Sequence, residues 1–174
     1  MKSNIVLIGM PGVGKSSVGV VLAKALGYGF VDSDLVIQNV EKRLLKEIIS
    51  QEGHDGFIAI ENRVNAGLEA DRSVIATGGS VVYGAGAMRH LKSIGTVVYL
   101  SASYETIASR LSNLEGRGVA MREGQTLPDL YNERVPLYER YGDITVKLDS
   151  LTIEEAVRVL TEQLAPFLAQ NVTN

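Results

Sequence analysis

The sequence contains no cysteine and no tryptophan, only four prolines, and no apolar run near the ~18 residues a membrane-spanning helix needs. Without cysteine there is no disulfide framework and no thiolate metal site. The two histidines, His54 and His90, stand alone, without the spacing of a triad or a ligand set. Lys and Arg number 17 against 20 Asp and Glu, a net charge of −3, so no excess positive charge is available for nucleic acid or an anionic membrane. The first residues run straight into an apolar segment, without the regions of a signal peptide. The expectation is a cytoplasmic, monomeric protein whose partners are small molecules.

What is present suits one domain over residues 1–174. Apolar residues make up 45% and charged residues 21%, and a chain of this length buries roughly two thirds of its unfolded surface. Short Val- and Ile-rich runs recur at Ile5–Ile8, Phe30–Val31, Val74–Thr77 and Thr96–Leu100, with a weaker one at Asp143–Val146. They do not alternate, as expected of strands buried on both faces. Segments of helical period lie between them. Phe57, Ile60, Val64 and Leu68 make one stripe, and Ile107 with Leu111 continue another. Thr152-x-x-Glu155 is a capping box opening a final helix over 153–169. Alternating strands and helices predict an α/β fold, a parallel sheet with helices on both faces. The stretch "NLEGRGVAMREGQTLPD", Asn113–Asp129, is rich in glycine and charge and reads as a long mobile loop. The tail after Gln170 reads as frayed.

The first apolar run breaks into "GMPGVGKS", Gly9–Ser16, which fits G-x-x-x-x-G-K-[ST] between a strand and a helix. Glycines let the amides of Gly12, Val13 and Gly14 turn inward on phosphate oxygens, and the helix N-terminus adds its positive dipole end. Lys15 is placed to reach the β- and γ-phosphates, and the Ser16 hydroxyl to ligate Mg²⁺. Ser17 caps the turn or touches the α-phosphate. ATP with Mg²⁺ is the implied ligand.

The class of phosphate-loop protein follows from what accompanies the loop. No Asn-Lys-x-Asp base reader is present, and neither Val74–Thr77 nor Val97–Leu100 ends in the carboxylate of a motor-type ATPase. The acids close behind a strand are Asp32 and Asp34, in "FVDSDLVI". Ligands of a parallel sheet sit outside the carboxyl ends of its strands, so this pair should face the phosphate loop. One carboxylate suits hydrated Mg²⁺ and the other an attacking hydroxyl; helix capping is the competing role, and it excludes neither. In "ATGGSVV", Gly78, Gly79 and Ser80 offer amides to an anion at a second strand end.

Taken together, the phosphate loop, Asp-x-Asp at 32–34, F-x-x-x-E at Phe57–Glu61, T-G-G at 77–79, Arg117 in the glycine-rich stretch and "ERVPLYERYGDI" near 133–144 resemble the shikimate kinase family over nearly the whole chain. The resemblance implies a three-layer nucleoside-monophosphate-kinase-like fold with a five-stranded parallel sheet and a mobile lid over roughly 113–125. It also implies transfer of the γ-phosphate of MgATP to a ring hydroxyl of shikimate, a carboxylated cyclic triol. On that resemblance Lys15 and Ser16 bind phosphate and Mg²⁺, and Asp32 stands near the metal's water shell. Asp34 binds acceptor hydroxyls and orients or deprotonates the nucleophile. Arg117 closes on the transferring phosphoryl group, Arg134 pairs with the acceptor carboxylate, and Arg110 packs on the adenine.

The chain departs from the family pattern at three places. Ile58 stands where the family motif F-R-x-x-E has a second carboxylate-binding arginine, Ser80 replaces a third glycine, and Gly118 replaces a proline. On a helical wheel Ile58 shares its side with Glu61, Asn62 and Asn65, the polar side, opposite the stripe led by Phe57. Arg63, five positions on, points about 140° away and is no substitute. An apolar residue here predicts a less positive acceptor pocket. Another hydroxylated metabolite, a sugar acid or polyol, therefore stands beside shikimate as acceptor, and a nucleotide-binding module without turnover is the reading from a different class.

Overall fold

The computed structural model describes residues 2–111 and 119–170. Each expected strand is present: β1 (Asn4–Ile8), β2 (Gly29–Asp32), β3 (Ser73–Ala76), β4 (Gly95–Ser101) and β5 (Ile144–Lys147). They form one parallel sheet in the order β2-β3-β1-β4-β5. Burial explains why their apolar runs are continuous. Every residue of the central β1 and of β3 is buried, whereas the edge strands β2 and β5 are largely half-exposed or exposed. A strand covered on both faces has no polar side to alternate with.

The helices are α1 (Lys15–Leu26), α2 (Ser33–Glu41), α3 (Leu45–Ala66), α4 (Ala85–Ile94), α5 (Tyr104–Leu111), α6 (Leu127–Tyr141) and α7 (Ile153–Gln170). α1 packs on α7, and α3 packs on α4. Asn4, 2% exposed, ties the strand starts together. Its Nδ2 donates to the carbonyls of Ala70 and Ile94, and its Oδ1 accepts from the Ser73 amide. The capping box at Thr152 and Glu155 forms as read.

Three local expectations are corrected. The stretch read as loop to Asp129 becomes helix at Leu127, because Thr126 and Asp129 close a capping box. Ala120, within that stretch, is 3% exposed and packs with Phe57, Val64, Ile37 and Ile48 in a second, smaller core cluster. Leu68 is buried but lies beyond the end of α3. Inside α3 the helix breaks at Gly53, whose φ of 69° is left-handed backbone that glycine adopts without a Cβ clash. Beyond the break, the second half of α3 brings Phe57 to the cavity that the phosphate loop lines and Glu61 to the turn at Gly78.

Candidate active site

The strand order reverses around β1, with β3 on one side and β4 on the other. The crevice at such a reversal is where ligands bind in open α/β sheets. The phosphate loop leaves β1 there, Thr77–Ser80 leaves β3, and Asp32 ends β2. The Thr77 amide and hydroxyl both bond the Leu7 carbonyl, at 3.2 Å and 2.8 Å, locking the two strand ends together. A cleft of about 390 Å³ opens at this point. Lys15, Ser16, Asp34, Gly79, Ser80 and Arg134 all line it, as do Gly12, Gly14, Ser17 and Gly78. Residues drawn from four separate motifs thus meet in one cavity.

Gly9, Gly12 and Gly14 carry φ values of 149°, 77° and 107°, so the loop follows a path that other residues resist. Lys15 is 8% exposed, and its Nζ donates to the carbonyls of Gly9 and Met10 at 2.7 Å and 2.9 Å. Desolvation lowers its pKa to about 8, against the attraction of Asp34. Val13 turns its side chain into the core, while its carbonyl accepts from Arg110 Nη1 at 2.8 Å. Arg110 also lines a second cavity of about 210 Å³ beside the loop, with Gly14, Ser17, Leu151 and Ile153. Its apolar walls suit a purine ring.

Asp32 both caps and faces the loop. Its Oδ1 accepts from the amides of Asp34 and Leu35, and its Oδ2 accepts from Ser16 Oγ at 3.3 Å. Two neighbouring oxygens of this kind suit Mg²⁺, which keeps most of its shell as water and phosphate oxygens. Among the described residues no cluster of three or more His, Cys, Asp or Glu could hold a metal. Asp34 presents the other carboxylate. Desolvation and then the Asp32 charge raise its pKa to about 6, Lys15 opposing.

Arg134, on α6, is 1% exposed. Its Nη2 donates to the Ala120 carbonyl at 2.6 Å, its Nε to the Tyr83 hydroxyl at 3.4 Å, and its guanidinium lies 5.3 Å from the Tyr83 ring centre. Nη1 faces Gly79, where an added Cβ would lie 3.0 Å from it. The Tyr83 hydroxyl in turn donates to Glu133, which Arg122 holds at 3.0 Å. Tyr138, also on α6, lies one turn beyond Arg134. It is fully buried and stacks on Tyr99, and its hydroxyl also donates to the Gly79 carbonyl at 2.6 Å, pinning the glycine turn.

Arg117 and Gly118 lie outside the described residues. Ile58 does not line the main cleft. It borders a neighbouring cavity of about 400 Å³ with His54, Asn62, Tyr83 and Arg122, and packs against the second core cluster. The side of α3 read as polar is also corrected: Glu61 and Asn65 are 1% and 0% exposed. This side faces α4 and the glycine turn, where Ser80 Oγ donates to Glu61 Oε2 at 2.6 Å and Asn62 Oδ1 accepts from the Ala87 amide at 2.8 Å. Polar residues turn inward here because inward-facing polar partners exist. His54 bonds Asp55 and His90 the Leu68 carbonyl, both away from the cleft.

Comparison with known proteins settles the family. The model for shikimate kinase matches residues 11–165. The chain belongs to the shikimate kinase family. The kinase is 37% identical to the shikimate kinase of Thermodesulfovibrio yellowstonii over 163 residues, covering 92% of this chain and 94% of the relative. It is 38% identical to that of Gloeobacter violaceus over 169 residues, covering 93% and 94%. Among solved structures, shikimate kinase from Acinetobacter baumannii in complex with shikimate is 32% identical with a TM-score of 0.78, covering 99% of this chain and 96% of that one. Shikimate kinase from Aquifex aeolicus is 27% identical with a TM-score of 0.75, covering 95% and 99%. The kinase therefore shares the family's P-loop fold, and ATP-dependent phosphoryl transfer to a hydroxyl is its chemistry.

Proposed function

We propose that this kinase transfers the γ-phosphoryl group of ATP to a ring hydroxyl of shikimate, with Asp34 and Arg134 as the acceptor's two anchors. One observation carries the reading: a carboxylate and a buried guanidinium open onto the same cleft as the phosphate loop. Bound Mg²⁺ supplies positive charge to the phosphate oxygens, and Ser16 with Asp32 would hold it. Asp34 is placed to orient the acceptor hydroxyl and take its proton. Burial holds its pKa above the usual carboxylate range, which suits a base working near neutrality. Lys15 lies at the head of α1, where its charge counters that building on the phosphate oxygens. Arg134 would pair with the acceptor carboxylate, pre-oriented by Ala120 and Tyr83. Gly78, Gly79 and Ser80 form the wall between Asp34 and Arg134, Arg110 would flank the adenine, and Arg117 would add a cation at the transferring group. The protein acts as a cytoplasmic monomer on this reading.

An ATP-coupled assay across shikimate, other hydroxylated acids and neutral polyols tests the proposal. Shikimate should give the highest kcat/KM. One observation favours a second acceptor class, a hydroxylated metabolite with less negative charge: Ile58 brings no second guanidinium, and among the described residues lining the cleft Arg134 is the one arginine. A polyol or sugar acid turned over tenfold better than shikimate would establish that class and reject the first.

A further inference from the structure

Glu61 has no part in the roles above, although it is 1% exposed and sits directly behind the glycine turn. Its two oxygens have different surroundings. Oε2 accepts the Ser80 hydroxyl at 2.6 Å, whereas Oε1 is buried without a hydrogen-bond partner. Asp34 Oδ1 is buried without a partner as well. The two converge on Gly78, where an added Cβ would lie 2.7 Å from Glu61 Oε1 and 2.8 Å from Asp34 Oδ1. That crowding is why glycine stands there.

Two ionised carboxylates in this place would leave two unpaired acceptors beside one glycine in a water-poor interior, an arrangement opposed by both charge and desolvation. One proton between them removes the conflict. With the Ser80 hydroxyl donating to Oε2, the oxygen left to carry that proton is Oε1, the one beside Gly78. The nearby cations oppose that proton by their charge, but neither pairs with the orphaned oxygens. Lys15 is engaged with the carbonyls of Gly9 and Met10, Arg134 with Ala120 and Tyr83, and no ion pair within 4.0 Å is formed by Glu61 among the described residues. Ile58, one turn earlier on α3, brings no cation. Two of the three departures from the family pattern, Ile58 and Ser80, are thus neighbours of Glu61 in sequence and in space respectively.

We propose that Glu61 works as a neutral carboxyl, a positioning residue that accepts from Ser80 through Oε2 and donates through Oε1 toward Asp34 Oδ1, holding the acceptor-facing carboxylate in one orientation. Burial agrees, since desolvation drives the Glu61 pKa up to about 8 with Asp34 adding to it, against Ser80, Arg134 and Lys15. The inference rests on Asp34 being the acceptor-facing group.

Glu61→Gln tests it, because an amide reproduces the same pattern, a carbonyl toward Ser80 and an N–H toward Asp34. Infrared difference spectra of the ligand-free protein at neutral pH, natural minus Glu61→Gln, should show a protonated-carboxyl stretch. Carboxylate bands in its place overturn the proposal. In turnover, Glu61→Gln should keep kcat within about tenfold, while Glu61→Leu loses about a hundredfold, the scale of a misplaced catalytic group. KM for MgATP should hold steady in both. Equal losses in the two variants, tracking their melting temperatures, overturn it too. Should Glu61→Leu fail to fold, Ser80→Ala replaces it, with an expected kcat loss of about tenfold; full activity in Ser80→Ala counts against the proposal. The infrared readout needs no acceptor, so it stands apart from the identity of the substrate.

Discussion

At the residue scale the two aspartates separate by what each oxygen touches. Asp32 is committed to the α2 cap and to Ser16, whereas Asp34 turns an unpartnered oxygen inward and lines the cleft. Asp34→Asn should bind MgATP normally and lose about 10²–10⁴-fold in kcat, the contribution of a general base. Asp32→Asn should instead raise the Mg²⁺ concentration for half-maximal activity while keeping the α2 cap, which an asparagine oxygen serves as well; a Mg²⁺ titration of both variants checks the division. Glu61 predicts a pH dependence of stability. Its folded pKa of about 8 exceeds the 4.5 of an ordinary glutamate, so the native state holds the extra proton between those limits. The associated stability is complete below about pH 4.5 and is lost as pH rises through about 8, by at most about 1.4 kcal/mol per pH unit. Denaturant melts of natural protein and Glu61→Gln across that range should show a shallower decline in the variant. The glutamate was visible in the sequence as part of F-x-x-x-E, but its burial was not, because a helical wheel sorts residues by polarity and cannot see a polar partner such as Ser80 waiting inside.

At the element scale, α3 carries the specificity question, and the break at Gly53 aims it. An added Cβ at Gly53 meets nothing within 4 Å, so the obstacle to substitution is backbone conformation alone. Gly53→Ala should cost about 1–2 kcal/mol, lowering the melting temperature by several degrees in a thermal melt. Ile58 follows that break. It is half-buried beside a cavity with Tyr83 and Arg122, so Ile58→Arg has room to project and should change stability by less than about 1 kcal/mol. If a second guanidinium is what the acceptor site lacks, the change should lower the shikimate KM by about ten- to a hundredfold, the worth of one charge-assisted hydrogen bond. An unchanged KM, measured at saturating MgATP and fixed salt, would show that another group already makes the contact. On α6, Tyr138 and Arg134, one turn apart, grip the glycine turn and the Ala120 carbonyl.

At the scale of the whole molecule, the phosphate loop and the proposed acceptor anchors line one crevice, so binding there should be felt by the entire fold. A ligand present at a hundred times its dissociation constant stabilises a protein by about 2.7 kcal/mol. MgATP should therefore raise the melting temperature clearly, and Lys15→Ala should abolish most of that rise along with at least about 10²-fold of turnover. The phosphate-loop motif makes Lys15 a phosphate ligand. Its burial and its bonds to Gly9 and Met10 add that the variant also removes a packed side chain, so its own melting temperature without ligand is the reference. The sequence by itself determined the phosphate loop, the parallel α/β order and the family, because those depend on local spacing: glycines at fixed offsets, a lysine at a helix start, apolar runs between helical stripes. Only the tertiary structure decided that Ile58 borders a side cavity, that Glu61 lies behind Gly78 against Asp34, and that Arg134 is braced by Ala120 and Tyr83. Those facts depend on contacts between residues up to 51 positions apart. Which face of a helix is inside is decided by the partners that other elements bring to it, and no local pattern contains them.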